Sequence, residues 1–166
     1  MKITNLYDIN TDSCEVILDK LGRVVDGISH GRQILYDRKN NLYYKIFDEE
    51  YCRRSNFEKA LRSGFFEELA PALHSVIVHP ELNDDIIGYV TEAGQSLSNS
   101  EFDINLIPDD FKNKLFNTIE KTNLFFYDFV PSNIVKLNSG KFSLIDLESI
   151  YEVGDLFKLH KYNAKV

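Results

Sequence analysis

The chain has 166 residues, 43% of them hydrophobic, which is enough for a single core or for two small lobes sharing a cleft. A formal charge of −7 and an isoelectric point near 5.1 argue against a surface built for nucleic acid or for an anionic membrane. Met1-Lys2 leads into polar residues, no apolar run nears the roughly 20 residues of a membrane span, and Cys14 and Cys52 stand far apart in no metal-ligand pattern, so a cytoplasmic protein with reduced thiols is expected.

Asp12-Ser13-Cys14-Glu15 has the spacing of a capping box, and Cys14, Ile17, Leu18 and Leu21 follow on one helical face with Gly22 as the stop. A short N-terminal helix is expected there. Arg23 to Ile28 and Arg32 to Tyr36 read as strands around Gly27-Ile28-Ser29-His30-Gly31-Arg32, whose plain reading is a hairpin turn with His30 exposed. The turn Arg38-Lys39-Asn40-Asn41 leads into the strand Leu42-Tyr43-Tyr44-Lys45-Ile46-Phe47. A lysine in such a strand is expensive to bury unless an anion meets it; on a half-exposed face its stem snorkels past Tyr43.

Phe57, Leu61 and Phe65 recur every fourth residue between Tyr51 and Leu69, the period of a charged helix with one apolar face, and Gly64 is a place for a kink. His74 to Val78 and Ile86 to Thr91 read as two strands across the turn Pro80-Glu81-Leu82-Asn83-Asp84-Asp85. Thr91-Glu92-Ala93-Gly94 then passes into Gln95-Ser96-Leu97-Ser98-Asn99-Ser100, a polar stretch of small residues that marks a boundary between lobes. Pro108-Asp109-Asp110 opens the next helix with proline and acid in its first turn, as the helix dipole prefers. Phe111, Leu115 and Ile119 mark its buried face, it ends near Asn123, and Leu156 and Leu159 suggest a last short helix.

Most of the chemistry is concentrated in Leu124-Phe125-Phe126-Tyr127-Asp128-Phe129-Val130-Pro131-Ser132-Asn133-Ile134-Val135 and in Leu144-Ile145-Asp146-Leu147-Glu148. An apolar run delivers the carboxylate Asp128, a short loop with Pro131 turns the chain, and the amide Asn133 opens a second apolar run. Beyond the turn Asn138-Ser139-Gly140-Lys141 a third apolar run ends in Asp146. Two strands joined by that turn bring the backbone near Asn133 close to the backbone near Asp146. Asp and Asn oxygens are hard ligands suited to Mg²⁺, which sits between one or two protein carboxylates and substrate phosphates. Asp128, just upstream, is free to accept a proton from an attacking hydroxyl. The plain alternative is a hairpin with solvated acids at its strand ends.

At these residues the chain resembles the protein-kinase-like superfamily. Asp128-x-x-x-x-Asn133 stands where that family has the catalytic Asp and metal-binding Asn of H-R-D-x-x-x-x-N, and Asp146 where it has the Asp of D-F-G. Phe126 and Tyr127 replace His-Arg, Val130 replaces the lysine often found two residues after the catalytic Asp, and Glu148 replaces the Gly of D-F-G. Those departures are commoner in small-molecule, lipopolysaccharide-type and atypical bacterial or phage kinase-like proteins, including small regulatory ones, than in eukaryotic protein kinases.

The resemblance implies an α+β, minimal two-lobed fold: an N-terminal antiparallel sheet with one helix (about 1–91), a hinge (about 92–97) and a reduced helical C-lobe (about 98–166), with ATP between the lobes. It implies Asp128 as the base, Asn133 and Asp146 as Mg²⁺ ligands, and Lys45 on the α- and β-phosphates, held by Glu58 or by Glu67 or Glu68 beyond a kink. Gly27, Ser29 and Gly31 would form the phosphate turn, although Gly-x-x-x-Gly departs from G-x-G-x-x-G, and the backbone of Glu92, Ala93 and Gly94 would read adenine. There is no A-P-E motif and no room for a peptide-holding helical lobe, so the implied activity is ATP-dependent phosphoryl transfer to a hydroxyl of a small molecule or of the chain itself. A nucleotide-binding pseudokinase module and a kinase-fold AMP transferase are the alternatives.

Overall fold

In a computed structural model of the chain, residues 2–19, 24–25, 28–29, 33–47, 54–98 and 103–155 are described. They form a mixed α+β fold in two compact units, Met1–Cys52 with Ala72–Gly94, and Arg53–Pro71 with Gln95–Val166. Among the described residues no helix is long and apolar enough to cross a membrane.

The first unit is built on strands β1 (Lys2–Asn5), β2 (Glu15–Asp19), β5 (Gln33–Asp37), β6 (Leu42–Ile46), β7 (Leu73–His79) and β8 (Asp85–Glu92), in the sheet order β1-β7-β8-β6-β5-β2. Neighbours pair antiparallel except β1 and β7, which run parallel from Lys2↔Ser75 to Asn5↔Val78. The expected all-antiparallel sheet therefore carries one parallel edge. β3 (Val24–Val25) and β4 (Ile28–Ser29) pair with each other as a separate ribbon.

The helix expected from Asp12 does not form. Thr11–Ser13 is a single 3₁₀ turn and Glu15–Asp19 is the edge strand β2, with a register irregularity between Val16 and Leu18. The capping box fails because Glu15 is drawn elsewhere: its Oε2 accepts from Arg38 Nε at 2.9 Å and Nη2 at 2.6 Å. With the cap gone, the β-branched pair Val16-Ile17 favours the pleated edge.

The β5–β6 turn is closed by Asp37, whose carboxylate accepts from the N–H groups of Lys39 (2.9 Å) and Asn40 (3.1 Å) and from Asn40 Nδ2 (2.7 Å). These bonds, that of the Asn40 side chain foremost, hold the buried Asp37 carboxyl below the usual carboxylate range. On the sheet, Ile77, Ile87 and Val90 form an apolar cluster with Leu6, Ile9, Leu42, Tyr44 and Ile46 against it. Gly88 sits so close to β6 that a Cβ there would fall 2.2 Å from the carbonyl oxygen of Lys45.

In the second unit the helix expected over Tyr51 to Leu69 is broken in two, α1 (Arg54–Ser63) and α2 (Phe65–Leu69), by Gly64 at φ +78°. Residues 51–53 lie outside the described residues. Phe57 and Phe66 meet at 5.1 Å between ring centroids, and Asn56 Nδ2 donates to the carbonyl of Ile150 at 3.1 Å. The segment belongs to the second unit, Arg53–Pro71 with Gln95–Val166. Phe57, Ala60, Phe65, Phe66 and Leu69 make up its buried face.

Helix α3 (Asp109–Thr122) begins after Pro108 and ends at Asn123, a left-handed C-cap at φ +57° whose N–H donates to the carbonyl of Ile119. Phe111, Leu115 and Thr118 are its buried residues, and Ile119 is only half-buried. Strands β9 (Gln95–Ser96), β11 (Ile134–Lys136) and β12 (Phe142–Leu144) form a sheet in the order β12-β11-β9, and β10 (Leu124–Phe126) pairs antiparallel with β13 (Ile150–Glu152). The polar stretch expected as a hinge thus contributes a short strand, β9. Leu156 and Leu159 lie outside the described residues.

Candidate active site

The candidate loop starts where β10 ends. All three residues of β10 are buried, which fixes the base of the loop, and Asp128 follows on the half-buried turn. Phe129 stacks on Phe111 of α3 at 6.1 Å and 15° between planes, so the helix supports the loop from beneath, and Phe111 also meets Phe142 of β12 at 6.2 Å. Pro131 is buried at the first position of a 3₁₀ turn, Pro131–Asn133, where its missing N–H costs no hydrogen bond.

Hydrogen bonds then close the loop on itself. The Asp128 carbonyl accepts from the N–H of Val130 at 2.8 Å and from Asn133 Nδ2 at 3.1 Å, while the N–H of Asn133 donates to the Val130 carbonyl at 3.0 Å. Donation by Nδ2 fixes the amide orientation, so Oδ1 is the atom Asn133 has for a cation. The turn after β11 is made by Gly140 at φ +81°, and β12 returns with Ile134 opposite Leu144. One step past that register the N–H of Ile145 donates to the carbonyl of Asn133 at 3.1 Å. The hairpin thus brings the backbone beside Asp146 to Asn133, as the spacing of the two strands implied.

The carboxylate of Asp128 has a partner that sequence reasoning missed. Ser149 Oγ donates to Asp128 Oδ2 at 2.7 Å, and the Ser149 carbonyl accepts from the N–H of Tyr127 at 2.9 Å. The cause is register: β10 pairs with β13 from Leu124↔Glu152 to Phe126↔Ile150, and one further step sets Tyr127 opposite Ser149. No local sequence signal marks it, because Ser149 meets Asp128 only through the pairing of two distant strands.

The other sequence candidates are more dispersed. Lys45 is buried in β6, with its Nζ 5.6 Å from the centroid of the Tyr89 ring. Lys45 and Glu58 belong to different units. Glu58 is bound one turn on by Arg62 Nη2 at 3.0 Å, a partly exposed i,i+4 pair. Glu67 and Glu68 are exposed on α2, where with Asp110, Lys114 and Lys141 they line a cavity of about 360 Å³. A cavity of about 420 Å³ beside Lys59, Arg62 and Asn123 contains none of the candidates. Gly27 and Gly31 lie outside the described residues, and Ser29 is paired with Val24.

At the expected hinge, part of the backbone is already engaged. The N–H of Ala93 donates to the carbonyl of Asn41 at 2.9 Å, the Ala93 carbonyl accepts from Asn41 Nδ2 at 3.2 Å, and the N–H of Glu92 donates to the carbonyl of Ala72 at 2.8 Å. Asn41, at φ +56° and accepting from the Tyr36 hydroxyl at 3.0 Å, is the residue that locks this corner. Among the described residues no group of three or more His, Cys, Asp and Glu side chains is arranged to hold a metal. No protein-family model matches the chain, and no curated protein matches it.

Proposed function

We propose that the chain is an ATP- and Mg²⁺-dependent phosphotransferase of the protein-kinase-like superfamily, in minimal two-lobed form, that transfers a phosphoryl group to a hydroxyl. The observation that carries this reading is the closed loop: Asn133 is bonded through its side chain to the Asp128 carbonyl and through its own carbonyl to the N–H beside Asp146, while a hydroxyl already rests on the Asp128 carboxylate. Proton acceptance requires a carboxylate within hydrogen-bond reach of the attacking hydroxyl, roughly 2.6–3.2 Å. The Ser149 hydroxyl, 2.7 Å from Asp128 Oδ2, supports the reading that a hydroxyl can reach this carboxylate.

Asn133 Oδ1 and the Asp146 carboxylate fit Mg²⁺ by chemistry, two hard oxygens with the remaining positions left to phosphates and water. When bound, the ion would offset the charge of the transferring phosphoryl group. Lys45 enters as a buried cation suited to the α- and β-phosphates, and Glu58 as its candidate orienting carboxylate. With Ala93 and the Glu92 N–H engaged, adenine would be read by the Glu92 carbonyl and Gly94. In the phosphoryl-transfer step Asp128 would orient the acceptor hydroxyl and take its proton.

Two variants separate binding from transfer. Asp146→Asn is expected to weaken Mg·ATP binding, because a neutral amide cannot offset the charge of the ion. Asp128→Asn is expected to leave that binding nearly unchanged and to lower transfer by on the order of a hundred to ten-thousandfold. Transfer at the parent rate in Asp128→Asn would remove the base from the scheme. Binding with no transfer to any acceptor would make the chain a nucleotide-binding regulatory module, and the mass added to a product distinguishes phosphoryl from AMP transfer.

A further inference from the structure

The contact of Ser149 with Asp128 has the geometry of a reaction partner. Ser149 Oγ lies 2.7 Å from Asp128 Oδ2, donates its proton to that oxygen, and is half-buried, not sealed in the core. The strand register from Leu124↔Glu152 onward and the bond from the Tyr127 N–H hold Ser149 there through the backbone. The hydroxyl is thus pre-positioned on the carboxylate, which is the arrangement that saves an acceptor the entropy of finding the base.

We infer that Ser149 is the chain's own phosphoryl acceptor, modified in cis; this rests on the phosphotransferase reading of Asp128. The Ser149 Oγ–Pγ bond forms as the bond from Pγ to the β,γ-bridging oxygen of a nucleoside triphosphate breaks. The nucleoside diphosphate leaves with the electron pair, and the hydroxyl proton passes to Asp128 Oδ2 and then to water. The product carries about −1.5 to −2 charges next to a carboxylate. Repulsion then drives position 149 off Asp128, so the modification stops at one group per chain and frees the base for an external hydroxyl.

The full chain is incubated with ATP and Mg²⁺, weighed intact and mapped by peptide mass spectrometry, with melting of the same samples followed in parallel. One phosphoryl group on Ser149 is expected, with a half-time independent of protein concentration, and none in Ser149→Ala. Asp128→Asn slows its appearance by on the order of a hundred to ten-thousandfold. Phosphate mapped to another residue of the parent, or a half-time that shortens in proportion to protein concentration, overturns the inference whatever the alanine variant does. A melting temperature that rises with Mg·ATP in a chain that stays unmodified overturns Ser149 as acceptor while the nucleotide reading stands. No rise and no modification overturn both.

Discussion

Replacing Asn133 with alanine removes one neutral hydrogen bond, Nδ2–H to the Asp128 carbonyl at 3.1 Å, from a half-buried loop. That carbonyl keeps the 2.8 Å bond from the Val130 N–H, so it is not orphaned. The expected cost is therefore that of a single bond, about 1 kcal/mol, and not that of a stranded acceptor. For a chain of this length that corresponds to roughly 2–4 °C in Tm. Asn133→Asp is the sharper probe. It keeps size and a ligating oxygen but turns an oxygen toward the Asp128 carbonyl where a donor was, and it is expected to cost about 2–3 kcal/mol. In that variant the new carboxyl is favoured protonated in the fold, which raises its pKa. Its deficit is thus smallest below about pH 4 and grows as pH rises through the raised value. Nucleotide-free melting by circular dichroism across roughly pH 3.5–7.5 reads both variants. Equal melting temperatures for parent, Asn133→Ala and Asn133→Asp would refute the closed-loop account.

Lys45→Met keeps the apolar stem and removes the cation, so ATP affinity measured by calorimetry is expected to fall about 10–100-fold; unchanged affinity would make Lys45 a strand residue only. Gly88→Ala would push a Cβ to 2.2 Å from the Lys45 carbonyl oxygen and 3.1 Å from Ile46 Cα, two backbone atoms of β6. It is expected to cost on the order of 3 kcal/mol or more in urea denaturation, and a neutral effect would contradict the β6–β8 pairing. Asp37 has a lowered folded pKa, so its stabilisation is complete above the unfolded carboxyl value of about 3.9 and is lost as pH falls through the lower folded one. Asp37→Ala should therefore destabilise the chain at neutral pH and flatten its acid limb; parallel pH profiles would count against that turn.

Local signals were legible where the chain decides its structure locally. Asn138-Ser139-Gly140-Lys141 announced the β11–β12 hairpin because Gly140 supplies the positive φ, and Pro108 with Asn123 bounded α3 because both act within a turn of the helix. Two elements misled because distant partners decided them. The capping-box spacing at Asp12 lost to Arg38, 23 residues from Glu15, and to pairing with β5. β1 has no alternation to mark it and exists through a parallel partner more than 70 residues away. The helical segment shows an apolar face in its periodicity, but its packing beside Ile150 does not follow from that period, which marks a buried face and not its partner. At the site, Asp128, Asn133 and Asp146 were found from residue chemistry and spacing. Ser149 was not, because a lone serine acquires meaning only when β10 and β13 are in register.

The most direct test of the Asp128–Asn133–Asp146 loop as a phosphoryl-transfer site is the melting temperature with ATP, with and without Mg²⁺, in the parent and in Asp146→Asn. At a hundredfold excess over its dissociation constant, Mg·ATP is expected to stabilise the parent by about 2.7 kcal/mol, or roughly 5–10 °C. The shift should shrink without Mg²⁺ and in Asp146→Asn. A parent whose Tm does not move at millimolar ATP with Mg²⁺, or an Asp146→Asn variant that shifts as fully as the parent, would contradict it.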